Sequence, residues 1–548
     1  VLGLMPWASL GELTPVPVWN QLTCGNDAIP WPEGYPTSSW SFSAEHINEE
    51  TYVVLRNGSH SSLNVTCLLY DGNGFFMGEG AAAVPTGQIA VIRSTEIVQA
   101  LYGVRGHGYL VGNKEGLTNG SLTLLDLGSL IYTTSWVHEV TFNAWPVTGA
   151  CTSPVEWPYW EIRGPITADG SWEYGADCYT DLRLANCGTS AVNPHLTMYN
   201  RSGQVVVDRD LSPVAPGQTM FLPLHMYYVG TDVYGRARIT WSPPDQPLRV
   251  SGRLFCNSGS DCRSLKRYAA AIPGECISTG FVVPYWEGFF VGTSTTRSTR
   301  TLLAVSNPHT DCTAYVSLWW TNMLVGTQGT WSVTVPPGGA QVLDITDIAA
   351  SGTNGYGWAR LSACRYPTAD SLTVNAWCYL RQEGRQTAYP YHIDRSACWV
   401  PLDGPEASPL YFDYWQQKAS GSGDFDRFTQ YLFTNPGTGE TAVSVVFTST
   451  SGQRWTNTVT VPAGGFTYFN SHTVVTNAGT NVVEGYAVVF WTNAPELEVW
   501  SVLVQEHGEG GFYRQAAWAT IPKSAAVDWI PCSTGDCRGV EAAVEGSG

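Results

Sequence analysis

The stretch Leu302-Leu-Ala-Val-Ser-Asn307, with Ala314-Tyr-Val-Ser-Leu-Trp-Trp320 and the corner Val335-Pro-Pro-Gly338 behind it, sets the fold of this chain. An apolar strand stops on Asn307, a residue type that tolerates the left-handed conformation and bonds its own backbone. A second apolar strand leads to a turn at Gly326. The Pro-Gly corner supplies a fixed φ, then a permissive one, and swings the chain back. Tyr356-Gly-Trp-Ala-Arg360 opens the next strand with glycine among aromatic rings. Short alternating strands between such turns predict a sandwich of antiparallel sheets.

The same landmarks recur along all 548 residues. Strands end on Asn57, Asn186, Asn307 and Asn435, spaced by 129, 121 and 128 residues. Turn glycines follow at Gly72, Gly203, Gly326 and Gly452, and corners at Val84-Pro-Thr-Gly87, Val214-Ala-Pro-Gly217, Val335-Pro-Pro-Gly338 and Val461-Pro-Ala-Gly464. Gly108, Gly235, Gly357 and Gly485 keep the register at 127, 122 and 128 residues. Landmarks that agree in period define a repeat. The expected organisation is an apolar N-terminal segment (1–23), four modules (24–150, 151–275, 276–397, 398–523) and a tail with a small disulfide loop (524–548). The fold class is therefore all-β: four tandem antiparallel β-sandwich modules. Each junction carries a Cys followed by Trp, as in Cys151 before Trp157 and Trp160, which predicts a stiff, elongated rod. One helix is expected, at Ser94-Thr-Glu-Ile-Val-Gln-Ala-Leu-Tyr102 with Ser94 as its cap.

Composition narrows the function classes. Charged residues are 14% of the chain and hydrophobic ones 43%, too apolar for disorder. No apolar run reaches the length of a membrane helix. The net charge of −18 and only four Lys (Lys114, Lys266, Lys418, Lys523) give no basic face for nucleic acid or an anionic membrane. Fourteen Cys include the close pairs Cys178 with Cys187, Cys256 with Cys262 and Cys532 with Cys537. These spacings suit small disulfide loops, and Cys312 with Cys364 is the expected non-local bridge. Sequons at Asn57, Asn64, Asn119 and Asn200 join the paired Cys in pointing to an extracellular setting. Val1 is read as the mature end left by signal-peptide removal.

Chemistry is sparse. The chain lacks HExxH, GxSxG, Walker and dinucleotide signatures, so no catalytic residue is assigned and a non-enzyme is expected. His107, between Gly106 and Gly108, reads as an exposed turn histidine. Glu156, Glu161 and Glu287 flank Trp157, Trp160 and Trp286, where a glycosidase could keep its carboxylates; packing at a junction is the competing reading. No cofactor is called for. The acidic pairs Asp424 with Asp426 and Asp344 with Asp347 read as solvated turns, with Ca²⁺ at a junction as the alternative. The 23 Trp divide into core or junction residues (Trp320, Trp358, Trp377, Trp491) and residues near turns or ends that could meet a glycan or a protein (Trp7, Trp19, Trp31, Trp40, Trp172, Trp455). Val16, Pro17, Val18 and Trp19 are the assembly candidates. They lie in a nearly uncharged start, read either as a strap on the first module or as a strand donated to another subunit.

The modules resemble the tandem immunoglobulin-like sandwiches of bacterial and archaeal surface proteins. Asn307-Pro308 and Asn435-Pro436, followed by Val335-Pro-Pro-Gly-Gly339 and Val461-Pro-Ala-Gly-Gly465, carry the likeness. Modules one and two lack Asn-Pro and the double glycine. The resemblance implies architecture and no active site. The expectation is a secreted structural protein of a filament, sheath or surface layer, with itself as partner. An adhesin or glycan binder is the alternative, and a viral capsid or spike protein a third.

Overall fold

A computed structural model describes the chain between residues 37 and 524. Outside the description lie 1–36, 46–48, 58–61, 72–75, 99–103, 113–119, 132–137, 147–152, 164–177, 229–232, 259–265, 273–276, 291–298, 384–394, 403–407, 419–425, 476–481, 510–512 and 525–548. So do single residues 187, 189, 217, 401, 493, 495, 496 and 522. The four assembly candidates, Val16, Pro17, Val18 and Trp19, therefore fall outside the described residues. The same holds for Cys187, Cys262, Cys532, Cys537 and the sequon residue Asn119.

The first module contains β1 (Thr37–Glu45), β2 (Glu49–Asn57), β3 (Leu63–Asp71), β4 (Phe76–Val84), β5 (Ile89–Arg93), β6 (Val104–Gly112), β7 (Gly120–Ile131) and β8 (His138–Pro146). The second contains β9 (Val155–Arg163), β10 (Cys178–Asn186), β11 (Asn193–Asn200), β12 (Val205–Asp210), β13 (Thr219–Pro223), β14 (Val233–Ser242), β15 (Leu248–Ser258) and β16 (Lys266–Ile272). The third begins with the short β17 (Ile277–Ser278). It continues through β18 (Gly280–Gly288), β19 (Thr299–Ser306), β20 (Thr313–Asn322), β21 (Thr327–Val335), β22 (Ala340–Asp344), β23 (Gly355–Tyr366), β24 (Val374–Glu383) and β25 (Arg395–Val400). The fourth has β26 (Leu410–Gln417), β27 (Asp426–Asn435), β28 (Thr441–Ser449), β29 (Arg454–Val461), β30 (Gly465–Asn470), β31 (Val483–Trp491), β32 (Glu498–Glu509), β33 (Tyr513–Ile521) and β34 (Lys523–Ser524). The third module's last strand thus runs to Val400, beyond the boundary expected at 397.

Every module repeats the same two antiparallel strand sets, which are separate sheets in modules three and four and are joined into one eight-stranded sheet in modules one and two by β1–β2 and β9–β10 pairing. One orders its strands fourth-third-sixth-first, as in β21-β20-β23-β18; the other fifth-second-seventh-eighth, as in β22-β19-β24-β25. The pairing departs from the immunoglobulin plan, in which the first strand shares a sheet with the second, fifth and fourth. Here the first strand lies beside the sixth. Period-two alternation fills the space between the sheets: Val65, Cys67 and Leu69 point inward on β3, Val316 and Leu318 on β20, Val443, Val445 and Phe447 on β28. Each such side chain contributes about 1.5–3 kcal/mol by leaving water. Burial also pushes the Cys67 thiol up to about 12, which keeps it unreactive.

The repeat's landmarks are parts of two locks. The strand-ending asparagines are buried, and their side-chain amides donate to the corner valine: Asn57 to Val84 O and Asn186 to Val214 O at 2.8 Å, Asn307 to Val335 O and Asn435 to Val461 O at 3.4 Å. They are not left-handed, contrary to expectation; among the described non-glycine residues only Ala369 has a positive φ. The left-handed conformation falls instead to glycines, among them the corner glycines Gly87, Gly338 and Gly464 and the turn glycines Gly203, Gly326 and Gly452. The second lock joins strands one, three and six. Trp160, Trp286 and Trp415 are fully buried, and their indole N–H groups donate to Tyr199 O (3.1 Å), Thr321 O (3.0 Å) and Thr448 O (3.4 Å). Gly235, Gly357 and Gly485 make room: a Cβ there would sit 1.8, 2.0 and 1.8 Å from those same carbonyl oxygens.

The modules do not string out as a rod. The residue after the landmark glycine reaches the corner glycine of the next module: Arg236 Nε donates to Gly338 O (2.7 Å) and Trp358 Nε1 to Gly464 O (3.3 Å). At the corresponding place between modules four and one, Tyr486 Oη stands beside Gly87, 4.0 Å from where a Cβ would sit. Tyr159 stacks on Trp377, Tyr285 meets Trp500, and Arg56 lies over the Tyr411 ring at 4.2 Å. The backbones of β8, β16, β25 and β33 approach one another in a closed cycle, β33 returning to β8. This is a head-to-tail interface whose rotation closes. The elongated-rod expectation fails because the buried tyrosines and corner glycines face neighbouring modules side by side.

Three further expectations are corrected. The helix is a single turn, α1 (Ser94–Ile97), capped by Arg93 and without a side-chain cap bond. Its counterpart α2 (Ile345–Ala349) follows β22, where Asp344 caps it by accepting from Asp347 N at 3.0 Å. The Cys312–Cys364 bridge is not formed: both thiols are free. Cys312 continues the core-facing alternation of β20, whereas Cys364 alternates with the inward Ala363 and faces out. The Asn57 sequon is closed by burial, since its amide is spent inside the corner. Asn64 is exposed, and Asn200 Oδ1 accepts from Ser202 N and Gln204 N within its turn.

Candidate binding face

The first strand's carboxylates are structural. Glu161 and Glu287 are buried and accept from Tyr159 Oη (2.6 Å) and Tyr285 Oη (2.7 Å). Glu156 pairs with Arg236 Nη1 at 2.7 Å and Arg238 Nε at 3.1 Å. Burial raises its carboxyl pKa against the pull of both guanidiniums. All three sit where modules meet, with oxygens already engaged. His107 lies inside β6, between Ser41 and Tyr70, and not in a turn. Asp344 and Asp347 pair with Arg300. Among the described residues no group of His, Cys, Asp and Glu is arranged to hold a metal.

In the third module β18 packs against module four, while β21 is the edge strand of its sheet with β20 beside it. The outward residues at that edge form three rows across β21, β20 and β23. They read Thr334–Tyr315–Cys364, Ser332–Ser317–Ser362 and Thr330–Trp319–Arg360. Ser332, Thr330, Thr334, Ser362 and Arg360 are exposed, while Tyr315 and Trp319 are half-buried. Tyr366 ends the face at 58% exposure. Trp319 packs on Trp358 with ring centroids 4.8 Å apart, and Arg360 lies 5.4 Å above the Trp358 ring. Trp358 is anchored to module four, so the platform is rigid. Amphipathic rings set among hydroxyls and a guanidinium can stack on an apolar face and bond the polar rim of a ligand.

The corresponding faces differ in chemistry while their cores match in kind. In the second module His195 occupies the rim, with Nδ1 2.8 Å from Asp210 Oδ1 and Nε2 2.8 Å from Asp208 Oδ1. Both nitrogens donate only as imidazolium. The bonds to Asp210 and then Asp208 therefore raise the His195 pKa, and His195 in turn lowers that of Asp208. The imidazolium's contribution to stability is fully present below the ordinary histidine value and lost as pH rises through the raised folded one. NMR titration should place His195 above an unperturbed histidine, with Asp210→Asn moving it back down. In the fourth module the face carries Ser444 bonded to Thr458 (2.9 Å) and an exposed Phe490.

Of the tryptophans expected at the surface, Trp7, Trp19, Trp31 and Trp172 lie outside the described residues. Trp455 is half-buried, edge-on to Trp415 at 6.0 Å. Reading β20 by its period of two, with Val316 and Leu318 inward, would have found Trp319 instead.

No family model matches the chain, and no curated protein is similar to it in sequence. Among solved structures, a tetra-tandem repeat in the extending region of a large adhesion protein overlaps at 13% identity. The overlap covers 86% of this chain and 93% of that one, with a TM-score of 0.09, too low to speak to fold or function.

Proposed function

We propose that this chain is a non-enzymatic extracellular surface protein of adhesin type, holding a sugar-bearing ligand on the rim face of its third module. The observation that carries this reading is the row structure around Tyr315 and Trp319, solvent-facing rings between Ser and Thr hydroxyls on a scaffold locked from both sides. Core packing does not require them, since the equivalent outward positions are Asn193 and Thr197 in one module and Ala442 and Val446 in another. Abundant Cys and the sequon at exposed Asn64 support an oxidising, secreted setting.

Retention on immobilised polysaccharides and a glycan array tests it. Trp319→Ala should weaken binding by about tenfold, close to 1.4 kcal/mol, with the melting profile unchanged. Equal binding by native and variant chains, or none by either, removes the reading. A second reading, self-assembly into a filament or layer, is favoured by β21. That edge strand has no charged residue along Thr327–Val335 and exposes Trp331, leaving a backbone edge open to strand addition. Concentration-dependent polymers without polysaccharide retention would move the assignment there.

A further inference from the structure

The second module sets Cys178 of β10 directly opposite Cys256 of β15. Directly opposed residues of an antiparallel pair share one face of the sheet and hold their Cα atoms about 4.5–5.5 Å apart. That lies within the roughly 4.4–6.8 Å that a disulfide spans. The nearest-neighbour pairing read from sequence does not fit. Cys178 is the first residue of β10, and Cys187 follows its last, Asn186. Eight steps of about 3.3 Å place Cys178 about 26 Å from Asn186, the residue that precedes Cys187 in sequence, far beyond a bridge.

The position also has no packing need for thiols. At the same register in the other modules, Thr299 faces Gln382 and Arg427 faces Gln505, both hydrophilic pairs. In the second module two cysteines 78 residues apart in sequence stand opposite each other where the others have such a pair. We propose that Cys178 and Cys256 form a cross-strand disulfide that fastens the second and seventh strands of the second module. The thiolate of one attacks an exogenous disulfide, such as that of an oxidising thiol-disulfide partner, giving a mixed disulfide and one released thiol. The second cysteine's thiolate then attacks the mixed disulfide, forming the Cys178–Cys256 bond and releasing the partner's other thiol. Two protons and two electrons leave the cysteine pair, and one partner disulfide becomes two thiols.

The test is non-reducing peptide mapping of the full-length chain equilibrated with glutathione disulfide, beside thiol counting of variants. A linked Cys178–Cys256 peptide that vanishes on reduction is expected. Cys178→Ser and Cys256→Ser should each raise the free-thiol count by one, and the double variant should return it to the native count. A Cys178–Cys187 or Cys256–Cys262 link, or alkylation of both Cys178 and Cys256 after oxidation, overturns the proposal.

Discussion

Trp415→Ala is expected to destabilise the fourth module by about 3–5 kcal/mol, the range for emptying a fully buried Trp site. Trp415 has no exposed surface and packs edge-on against Phe447 and Trp455. Its indole N–H donates to Tyr486 O at 3.0 Å and Thr448 O at 3.4 Å, so truncation removes both ring volume and a donor to two strands. Trp415→Phe separates the effects: it keeps much of the volume and leaves the carbonyls without the indole, a loss of about 1–3 kcal/mol. Denaturant unfolding followed by tryptophan fluorescence reads both. A Trp415→Ala chain within about 1 kcal/mol of native would show that the lock is not what holds strands one, three and six together.

Gly485→Ala should cost about 3 kcal/mol or more, at the upper end of overpacking effects. Its new methyl carbon would lie 1.8 Å from Thr448 O, a backbone atom that cannot rotate away. The β31–β28 ladder would have to part where it also presents a carbonyl to Trp415. Gly439→Ala is the control, because nothing lies within 4 Å of its added Cβ and its φ is not left-handed. That change should stay within about 0.5 kcal/mol. Comparable losses from the two substitutions, measured in the same unfolding assay, would contradict the steric account.

Much of the fold is legible because strand alternation and turn residues are local signals. Val443, Val445 and Phe447 announce an inward face by spacing alone, and corner glycines such as Gly338 announce a left-handed turn. What those landmarks bond to is not legible. Asn307 reads as a strand-ender bonding its own neighbours, and its Oδ1 does accept from His309 N, but its amide also reaches Val335 O, 28 residues on. Gly485 reads as a marker of a strand start, and its real role depends on a carbonyl from another strand and a ring from a third. Docking between modules leaves still less trace. Tyr159 and Tyr285 look like ordinary strand residues until Trp377 and Trp500 arrive from the neighbouring module. The rim face can be found by following the alternation of β20 to its outward side, where Trp319 stands.

The contact between modules four and one also has a consequence for how strongly it must bind. Its two surfaces belong to one chain and are already brought near by three preceding interfaces of the same kind. Each therefore meets the other at a high effective concentration, without the translational loss that separate molecules would incur. A contact as modest as Arg56 over Tyr411, with Tyr486 beside Gly87, can stay closed on those terms. Breaking any one of the four would leave the remaining three to hold its surfaces within reach, so the assembly can reseal after a local opening.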